Sequence, residues 1–390
     1  MLIGQQVTVL GAGVGGLTTA IALARRGAAV TVVEQAPAIV EVGGGLQISP
    51  NGVAVLDGLG LGDAARRVGD RSRGAVLRDY RHGSHVARLN LARHRPDHTY
   101  LLFHRSDLIE LLATGARDAG VDIQLNRCVE SVSDDADGAR VTFADGQSIK
   151  PGLVIGADGL HSRLRGALNG QADPFFTGQV AWRATVPNTT ALPPEATIYM
   201  GPGRHLVTYP LRGGKLINIV AVEERDTWTA EGWNHAGDPN VLRGRFDDFC
   251  APVRRLLERV ETVNVWGLFR HPVAQHWHGA HSALVGDAAH PTLPFLAQGA
   301  NMALEDAYVV ADCLANLDPP QALAAYQTRR RDRVVRVIEG ANANARNYHL
   351  RHPIGRTVAH TALRLGGFFA PDQILKRMDW IYSHDVTATK

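Results

Sequence analysis

Cysteine is scarce in this chain of 390 residues, which contains only Cys128, Cys250 and Cys313. Three widely spaced cysteines cannot build a paired disulfide framework, and none has a second cysteine or a histidine at the spacing of a zinc ligand set. The sequence therefore predicts no disulfide and no metal site. It also favours a reducing, cytoplasmic location.

Net charge and long apolar runs are equally sparse. The 41 basic and 38 acidic residues leave a net charge of +3, and no basic block alternates with aromatic residues, which excludes nucleic acid as a partner. Outside the glycine-rich amino-terminal region, no uncharged run reaches the ~18 apolar residues of a membrane span. The first six residues lack the basic start of a signal peptide. We therefore expect a globular chain of about two domains without a membrane span.

The first clear motif is a glycine-rich turn between a strand and a helix. Val7–Leu10 is predicted to be a buried strand, and Gly11, Gly13 and Gly16 follow it at G-x-G-x-x-G spacing. Glycines at these positions allow a tight turn, close approach of the backbone to a pyrophosphate, and close packing of helix on sheet. A second predicted strand ends in Glu34, whose carboxylate can accept hydrogen bonds from both ribose hydroxyls of an adenosine. The sequence therefore predicts a dinucleotide site, which NAD and FAD would both fit.

Two further segments have the composition of ligand-facing loops. Residues 43–45 are three successive glycines, so the backbone there can approach a ligand closely, and Gln47 would face that ligand or, with equal weight, solvent. Arg105 stands just before a predicted helix with Ser106 as its N-cap. Arg105 can reach a phosphate from this position, or it is simply an exposed arginine at a helix start.

A long loop late in the chain runs from Gly286 to Ala307. It begins where an apolar run stops, contains Pro291 and Pro294, and ends in a helical pattern that Gly299 opens. The helix would direct unpaired N–H groups and a partial positive charge into this rigid loop. The segment is therefore either an ordinary connection or a site for a flat group that becomes anionic.

Between these motifs the pattern changes to short strands with glycine turns. A hairpin is predicted around His82 and Gly83, and an antiparallel sheet between Gly178 and Val265. We therefore expect an α/β fold in which a Rossmann-like dinucleotide domain carries an inserted α+β substrate domain and is followed by a helical segment. The predicted limits are residues 1–72, 98–177 and 266–345 for the dinucleotide domain, 73–97 and 178–265 for the insert, and 346–390 for the helical segment.

The last third of the chain is predicted to be helical. Ala322 to Arg346 forms one long helical stretch that contains Arg329, Arg330, Arg331 and Arg333. We interpret this arginine cluster as a solvated face or an interface without chemistry. The tail after it covers the body of the protein or a second subunit, so we expect a monomer or a homodimer.

Three motifs in this order resemble those of a known family. They are the fingerprint at Gly11, the segment Gly156-Ala157-Asp158-Gly159 with Ser162 and Arg165, and Gly286-Asp287 with Pro294, Gln298, Gly299 and Asn301. Over about residues 5–345 the chain is similar to the single-component FAD-dependent aromatic hydroxylases. Within that family it most resembles the salicylate hydroxylases, 3-hydroxybenzoate 6-hydroxylases and 6-hydroxynicotinate 3-monooxygenases.

The resemblance implies one FAD in an extended pose, NADH or NADPH as a transient co-substrate, and O2. It assigns cofactor roles to Glu34 for the adenosine ribose, Arg105 for the dinucleotide backbone, Asp158 for the cofactor region and the NAD(P)H approach, Asp287 for the ribitol, Gly299 and Asn301 for the edge of the flavin ring, and Pro294 for its reacting face.

The predicted substrate residues lie on one strand. Period two puts His205 and Tyr209 on the same face, about 13 Å apart along an ideal strand, where they would frame a small ring. A strand histidine is more often structural than catalytic, but the resemblance implies that His205 takes the proton of a substrate hydroxyl. Relatives have glutamine at Pro294 and histidine at Gln47, so neither of their substrates can be transferred to this chain.

The implied reaction is hydroxylation of a small hydroxyaromatic or N-heteroaromatic acid with NAD(P)H and O2, through a flavin C4a-hydroperoxide. One alternative is an oxygenase on the same scaffold that acts on a larger polycyclic or lipid-like substrate. A flavoprotein without turnover and a plain NAD-dependent dehydrogenase are the others.

Overall fold

The computed structural model describes residues 2–39, 44–227 and 235–388, with strands and helices interleaved through most of the chain. In chain order the strands are β1 (Gln6–Leu10), β2 (Ala29–Val33), β3 (Gly45–Ile48), β4 (Asp70–Arg71), β5 (Gly74–Asp79), β6 (His85–Asn90), β7 (Leu101–His104), β8 (Asp122–Gln124), β9 (Val129–Asp135), β10 (Gly138–Phe143), β11 (Ser148–Ile149), β12 (Leu153–Gly156), β13 (Phe175–Pro187), β14 (Ala196–Gly201), β15 (Arg204–Leu211), β16 (Leu216–Glu224), β17 (Ala236–Gly237), β18 (Val263–Arg270) and β19 (Ser282–Leu284). The helices are α1 (Val14–Ala24), α2 (Pro50–Gly58), α3 (Gly62–Val68), α4 (Leu91–His94), α5 (Arg105–Asp118), α6 (Arg163–Asn169), α7 (Pro239–Arg245), α8 (Ala251–Glu258), α9 (Gly299–Asn316), α10 (Pro319–Tyr348), α11 (Pro353–Phe369) and α12 (Pro371–Tyr382).

A parallel sheet forms the centre of the first domain. Its strand order is β19-β12-β1-β2-β8, and each neighbouring pair is parallel. Strands such as β1 and β12 are almost continuously apolar because helices cover the sheet, which excludes water from both faces. The predicted Rossmann-like α/β fold is confirmed. Because carboxyl ends of parallel strands meet at one edge, the segments that follow β1, β2, β12 and β19 are brought together there.

A second, larger sheet is mainly antiparallel and has the order β17-β18-β13-β16-β15-β14-β5-β6. The predicted hairpin around His82 and Gly83 is formed by β5 and β6, and β5 joins the sheet by pairing in parallel with β14. Strands β13 and β18 cross the predicted limits of the insert at residues 178 and 265. The domain limits themselves stay a prediction.

Two smaller sheets complete the strand structure. One has the strand order β11-β10-β9, and the other has the order β3-β7-β4. The helix after β7 begins at Arg105 with His104 as N-cap, so the prediction of Ser106 as N-cap is wrong. The hydroxyl of Ser106 lies 2.6 Å from His104 Nδ1, and this local pairing keeps it from capping. None of the described helices combines the length and apolarity needed to cross a membrane.

The predicted solvated face on α10 is wrong for two of its arginines. Arg330 is 1% exposed and Arg333 is mostly covered, whereas Arg329 is exposed. Helical phase explains the difference, because Arg330 lies four residues from both Tyr326 and Val334, which are core residues of the same helix face. The sequence signal that identifies Arg330 as buried is its position in line with the apolar residues Tyr326 and Val334 on one face of the helix.

Candidate active site

The glycine turn after β1 is shaped by close packing. A Cβ at Gly16 would lie 1.9 Å from the Gly11 carbonyl oxygen, and one at Gly11 would lie 2.7 Å from the Ala157 oxygen, so both positions require glycine. Gly13 differs, because nothing lies within 4 Å of a Cβ built there. Gly13 is the N-cap of α1 and no side chain caps that helix end. The first N–H groups of α1 thus have no capping side chain, which suits an anion.

Glu34 follows β2 and is tied to this turn. Its Oε2 accepts a hydrogen bond of 2.8 Å from the Ala12 N–H, and its Oε1 accepts one of 2.9 Å from the Ala36 N–H. Each carboxylate oxygen has a further lone pair. Glu34 therefore orders the turn and can still accept hydrogen bonds from a ligand's hydroxyl groups.

Asp158 and Asp287 follow neighbouring strands, β12 and β19. Asp158 accepts a 2.8 Å hydrogen bond from the Arg163 N–H, and burial raises the pKa of its carboxyl. Asp287 is exposed, yet desolvation by the protein packed around its carboxyl raises the pKa of that group, against the opposing charges of His290 and Arg105. Arg105, the first residue of α5, lies close enough to Asp287 for its charge to act on that carboxyl. The predicted cofactor residues thus gather at the carboxyl edge of the parallel sheet.

Gly299 and Asn301 begin α9, at the far side of the same cleft. A Cβ at Gly299 would meet only Thr292 Cγ2, at an ordinary 3.5 Å, so the described protein does not itself require glycine there. Asn301 is fully buried: its Nδ2 donates to the Gln47 and Ala297 carbonyl oxygens, and its Oδ1 accepts from the Ser49 N–H. Asn301 therefore joins β3 to the loop before α9 and acts on the site through that loop.

The 43–45 glycine segment adjoins the second sheet. Gly43 lies outside the described residues. A Cβ at Gly45 would lie 2.3 Å from Tyr209 Cε2, so glycine allows the tyrosine ring to pack against β3. The hydroxyl of Tyr100 donates a 2.9 Å hydrogen bond to Gln47 Oε1. Gln47 is thus held at the junction of the two domains.

A cavity of about 410 Å³ lies between the second sheet, the 294–297 loop and the last two helices. His205, Gln47 and Pro294 line it, and most of its wall is apolar, with residues such as Leu77, Ile198, Met200, Val207 and Leu363. Tyr209 does not line this cavity. It is 3% exposed and lies behind Gly45 and Gln47, so the structure does not bring His205 and Tyr209 around one small ring as expected.

His205 is 3% exposed and is enclosed by aromatic rings. The ring centroids of Phe295 and Tyr348 both lie 5.4 Å from that of His205, and its Nδ1 lies 2.7 Å from His349 Nε2. Burial, and after it the neighbouring His349, lower the pKa of His205 well below its usual value. The ring is therefore neutral near pH 7, the state in which imidazole can accept a proton.

Three residues at this site were missed in the sequence. His349 follows the end of α10, Glu224 ends β16, and Arg377 on α12 lines the cavity. Alternation places Glu224 on the side of its strand opposite to Glu223, which hydrogen bonds to Trp182. That alternation is a weak signal for Glu224. Neither His349 nor Arg377 carries any local motif.

A buried ion cluster lies behind the 286–298 loop. Arg330 contacts Glu305 at 2.6 Å and Asp306 at 2.7 Å, and Arg333 contacts Glu305 at 2.7 Å. Asp306 Oδ2 in turn accepts from the Gly286 N–H at 3.0 Å and lies 2.5 Å from His290 Nε2. These contacts fix the backbone that presents Asp287 to the cleft.

A matching hydrogen-bond network holds the other end of that loop. Asn51 Nδ2 donates to Glu305 Oε1 at 2.7 Å and to Gln298 Oε1 at 3.1 Å, and Gln298 Nε2 donates to Ser49 Oγ at 2.9 Å.

Among the residues that the structure describes, no group of three or more His, Cys, Asp or Glu side chains is arranged to hold a metal ion.

Comparison with known proteins gives consistent matches along the chain. The model of the FAD binding domain family matches residues 5–341. The chain is 36% identical to 3-amino-4-hydroxybenzoate 2-monooxygenase of Streptomyces cremeus over an alignment of 355 positions, which covers 88% of each chain. It is 34% identical to 3-hydroxybenzoate 6-hydroxylase of Polaromonas naphthalenivorans over an alignment of 395 positions including gaps, covering 97% of this chain and 96% of that one.

A solved structure agrees with this pattern. HpxO of Klebsiella pneumoniae complexed with FAD and uric acid superposes with a TM-score of 0.83 at 27% identity, covering 96% of this chain and 95% of that chain. The architecture is thus shared over nearly the whole length of both proteins.

Proposed function

Since the chain belongs to the single-component FAD-dependent aromatic hydroxylases, we propose that it hydroxylates a small hydroxyaromatic or N-heteroaromatic acid with NADH or NADPH and O2. The observation that carries this proposal is His205, a neutral buried histidine in the wall of a mostly apolar cavity that the 294–297 loop bounds. A cavity of about 410 Å³ is near the lower end of the ~300–1,000 Å³ range of ligand pockets, which favours a small substrate over a polycyclic one.

The residues around the cleft fit an extended FAD. A Cβ built at Gly13 would meet open space, and one at Gly299 would meet only Thr292. No N-cap side chain hydrogen bonds to the start of α1, which follows Gly13, or to the start of α9, which begins at Gly299. In the proposal the α1 end binds the pyrophosphate, Glu34 the adenosine ribose and Asp287 the ribitol. When bound, FAD supplies the transfer of electrons from NAD(P)H and the activation of O2.

The protein's own contribution is a base, a dry cavity and fixed dipoles. His205 Nε2 accepts the proton of the substrate hydroxyl, which makes the ortho and para carbons of the ring more nucleophilic. The apolar wall and the Pro294–Ala297 segment exclude water from this step. The amino-terminal end of α9 gives its partial positive charge to the cleft and stabilises negative charge there.

Gly13→Ala is expected to weaken FAD binding without disturbing the fold. The backbone at Gly13 is extended and open space surrounds its Cβ position, so alanine fits the protein but occupies the space proposed for the pyrophosphate. We expect the dissociation constant for FAD to rise about 10-fold or more, which is ~1.4 kcal/mol. Flavin fluorescence titration of the apoprotein measures this constant.

Gly244→Ala is the matched control, because Gly244 also has nothing within 4 Å of its Cβ position but lies on α7, away from the cleft. It should bind FAD as the wild type does. A Gly13→Ala protein with an unchanged dissociation constant would contradict the pyrophosphate assignment.

Arg377 is proposed to bind the substrate carboxylate. It is the only lysine or arginine among the described residues that line the cavity. Losing a hydrogen bond to a charged group removes ~1.5–3 kcal/mol, so Arg377→Ala should raise KM for an aromatic acid about 10-fold or more and change kcat less. Steady-state oxidation of NAD(P)H with product analysis measures both.

Lys376→Ala is the control for this change, since Lys376 is paired with Asp372 and does not line the cavity. Its KM should stay at the wild-type value. With a phenol that lacks the carboxylate, the difference between wild type and Arg377→Ala should disappear. A difference that persists would show that Arg377 does not bind the carboxylate.

A single screen tests the function. The purified protein should be yellow, and NADH and NADPH oxidation should be measured with salicylate, 3-hydroxybenzoate, 6-hydroxynicotinate and 3-amino-4-hydroxybenzoate, alongside polycyclic phenols, with identification of products. A colourless protein that takes up no FAD overturns the proposal. Products from the polycyclic phenols alone would support the larger-substrate alternative, and NAD(P)H oxidation that yields only hydrogen peroxide marks a compound that is not hydroxylated.

A further inference from the structure

A continuous line of hydrogen bonds leads from the cavity to the protein surface. His205 Nδ1 lies 2.7 Å from His349 Nε2, His349 Nδ1 lies 2.9 Å from Glu224 Oε1, and Arg351 Nη2 donates to Glu224 Oε2 at 2.6 Å. The two histidines are each 3% exposed, whereas the side chains of Glu224 and Arg351 are 30% and 71% exposed. The line therefore begins at a buried ring in the cavity wall and ends at a carboxylate that water reaches.

The charge state of Glu224 determines which nitrogen carries the proton in each ring. Burial raises the pKa of Glu224, but hydrogen bonds from Arg351 and His349 outweigh it and hold that pKa below its usual value, so the group is a carboxylate and only accepts. His349 Nδ1 must then carry a proton, which leaves Nε2 of the neutral ring as an acceptor. His205 Nδ1 must in turn donate to it, and the proton-free nitrogen of His205 is Nε2.

Both rings are neutral near pH 7. Burial, the largest influence in each case, lowers the pKa of His205 and of His349, and for His349 it outweighs the opposing effect of Glu224. The charge of Arg351 also acts on His349, and that of Asp226 acts on Arg351. The rings that flank His205 are those of Phe295 and Tyr348. His205 therefore presents a lone pair rather than a proton through its second nitrogen, which has no hydrogen-bond partner among the described residues.

We propose that His205, His349 and Glu224 form a proton relay that carries the hydroxyl proton of the substrate out of the cavity to solvent. The proposal rests on the hydroxylase function, and in it only His205 touches the substrate, while His349 and Glu224 act through His205. Proton movement along such a line needs no water in the cavity, which reconciles a dry site with repeated proton release.

One proton moves along the relay for each substrate molecule. The substrate O–H bond breaks as an Nε2–H bond forms on His205, whose Nδ1–H proton passes to His349 Nε2. The Nδ1–H proton of His349 passes to Glu224 and then to water. No electrons are transferred. Return of one proton along the same line, when the hydroxylated product is protonated, restores both rings to their starting tautomers.

Glu224→Gln tests the relay, because the amide keeps the size of the side chain but removes the charge that fixes the two tautomers. The first measurement is ¹⁵N NMR of the histidine rings in the oxidised holoenzyme without substrate, with the signals assigned by His205→Gln and His349→Gln. In the wild type, Nδ1 should be protonated and Nε2 unprotonated in both residues. In Glu224→Gln the tautomer populations of both rings should change.

The second measurement is the pH profile of product formation with each of the four aromatic acids of the screen that the wild type hydroxylates. Glu224→Gln should be slower by about 10-fold or more where the substrate hydroxyl is protonated, and should approach the wild-type rate where the substrate enters as a phenolate. KM should change little. A purely structural defect would not recover with pH in this way.

Glu195→Gln is the control, because Glu195 is also an ion-paired carboxylate at the second sheet, with Arg88 as its partner, but has no contact with the relay. Both its histidine tautomers and its pH profile should match the wild type. A protonated His205 Nε2 in the wild type, or unchanged tautomers in Glu224→Gln, overturns the relay. A normal tautomer pattern in a protein that hydroxylates nothing in the screen would instead count against the proposed function.

Discussion

Replacing His205 with alanine is expected to slow hydroxylation by about 10²- to 10⁴-fold at pH values where the substrate hydroxyl is protonated. The reason is the loss of the buried neutral imidazole whose Nε2 accepts that proton. FAD content should be unchanged, because His205 lies on β15 and not at the edge of the parallel sheet. Product formation across the pH range measures the effect, and the loss should shrink as the substrate becomes a phenolate in solution.

His360→Ala is the matched control for this change. His360 is another buried histidine that lines the same cavity, but its Nδ1 faces Asp79 at 3.7 Å and it takes no part in the line to Glu224. The His360→Ala variant should have a changed KM, because the residue lines the cavity, but the pH dependence of its hydroxylation rate should match that of the wild type. An unchanged rate in His205→Ala where the hydroxyl is protonated would remove His205 as the base.

Replacing Arg330 with methionine is expected to lower the free energy of unfolding by about 3–5 kcal/mol. Arg330 lies between Glu305 and Asp306, which are both 0% exposed, and its removal leaves their carboxylates short of a counter-charge. Burial raises the pKa of Glu305, but the charges of Arg330 and Arg333 outweigh it and hold that pKa at about 2, so this group stays ionised at neutral pH. Urea denaturation monitored by circular dichroism measures the change.

Arg329→Met is the control, since Arg329 is adjacent in sequence but its side chain is 46% exposed and its partner Asp312 lies near the surface. Its cost should be below about 1 kcal/mol. If both variants lose the same small amount, the buried cluster does not stabilise the fold as proposed. Arg330→Met should also retain FAD less well, because Asp306 accepts the hydrogen bond that fixes Gly286.

The parts of the fold and site that the sequence predicted have local causes. The contact that requires glycine at Gly16 lies within the turn, and Glu34 accepts a hydrogen bond from the Ala36 N–H two residues on. The long-range contacts of Gly11 with Ala157 and of Glu34 with Ala12 add to a pattern that the glycine spacing already indicates. Strand periodicity and glycine turns are local in the same sense, so the parallel sheet, the hairpin and the antiparallel sheet could be identified from them.

The parts that were missed depend on partners far apart in the chain. His205 and His349 are 144 positions apart, so nothing near either residue indicates the other. Arg330 was interpreted from its charge rather than from its phase on α10, and charge alone does not identify a buried ion pair. Tyr209 was placed by strand alternation, which gives the face of the strand but not the β3 segment that lies between that face and the cavity.

The strand order of the parallel sheet has a consequence for how the protein is made. β1 lies beside β12, and β12 lies beside β19. One side of β1 is therefore covered by strands that leave the ribosome much later than β1 itself. The two halves of the proposed cofactor cleft, around Gly13 and around Gly299, therefore cannot meet in a nascent chain that lacks its last third. Domains generally fold as units during synthesis, but here the earliest segment must wait for one of the latest. Flavin loading at the proposed cleft therefore requires that β19 and the start of α9 have already been synthesised.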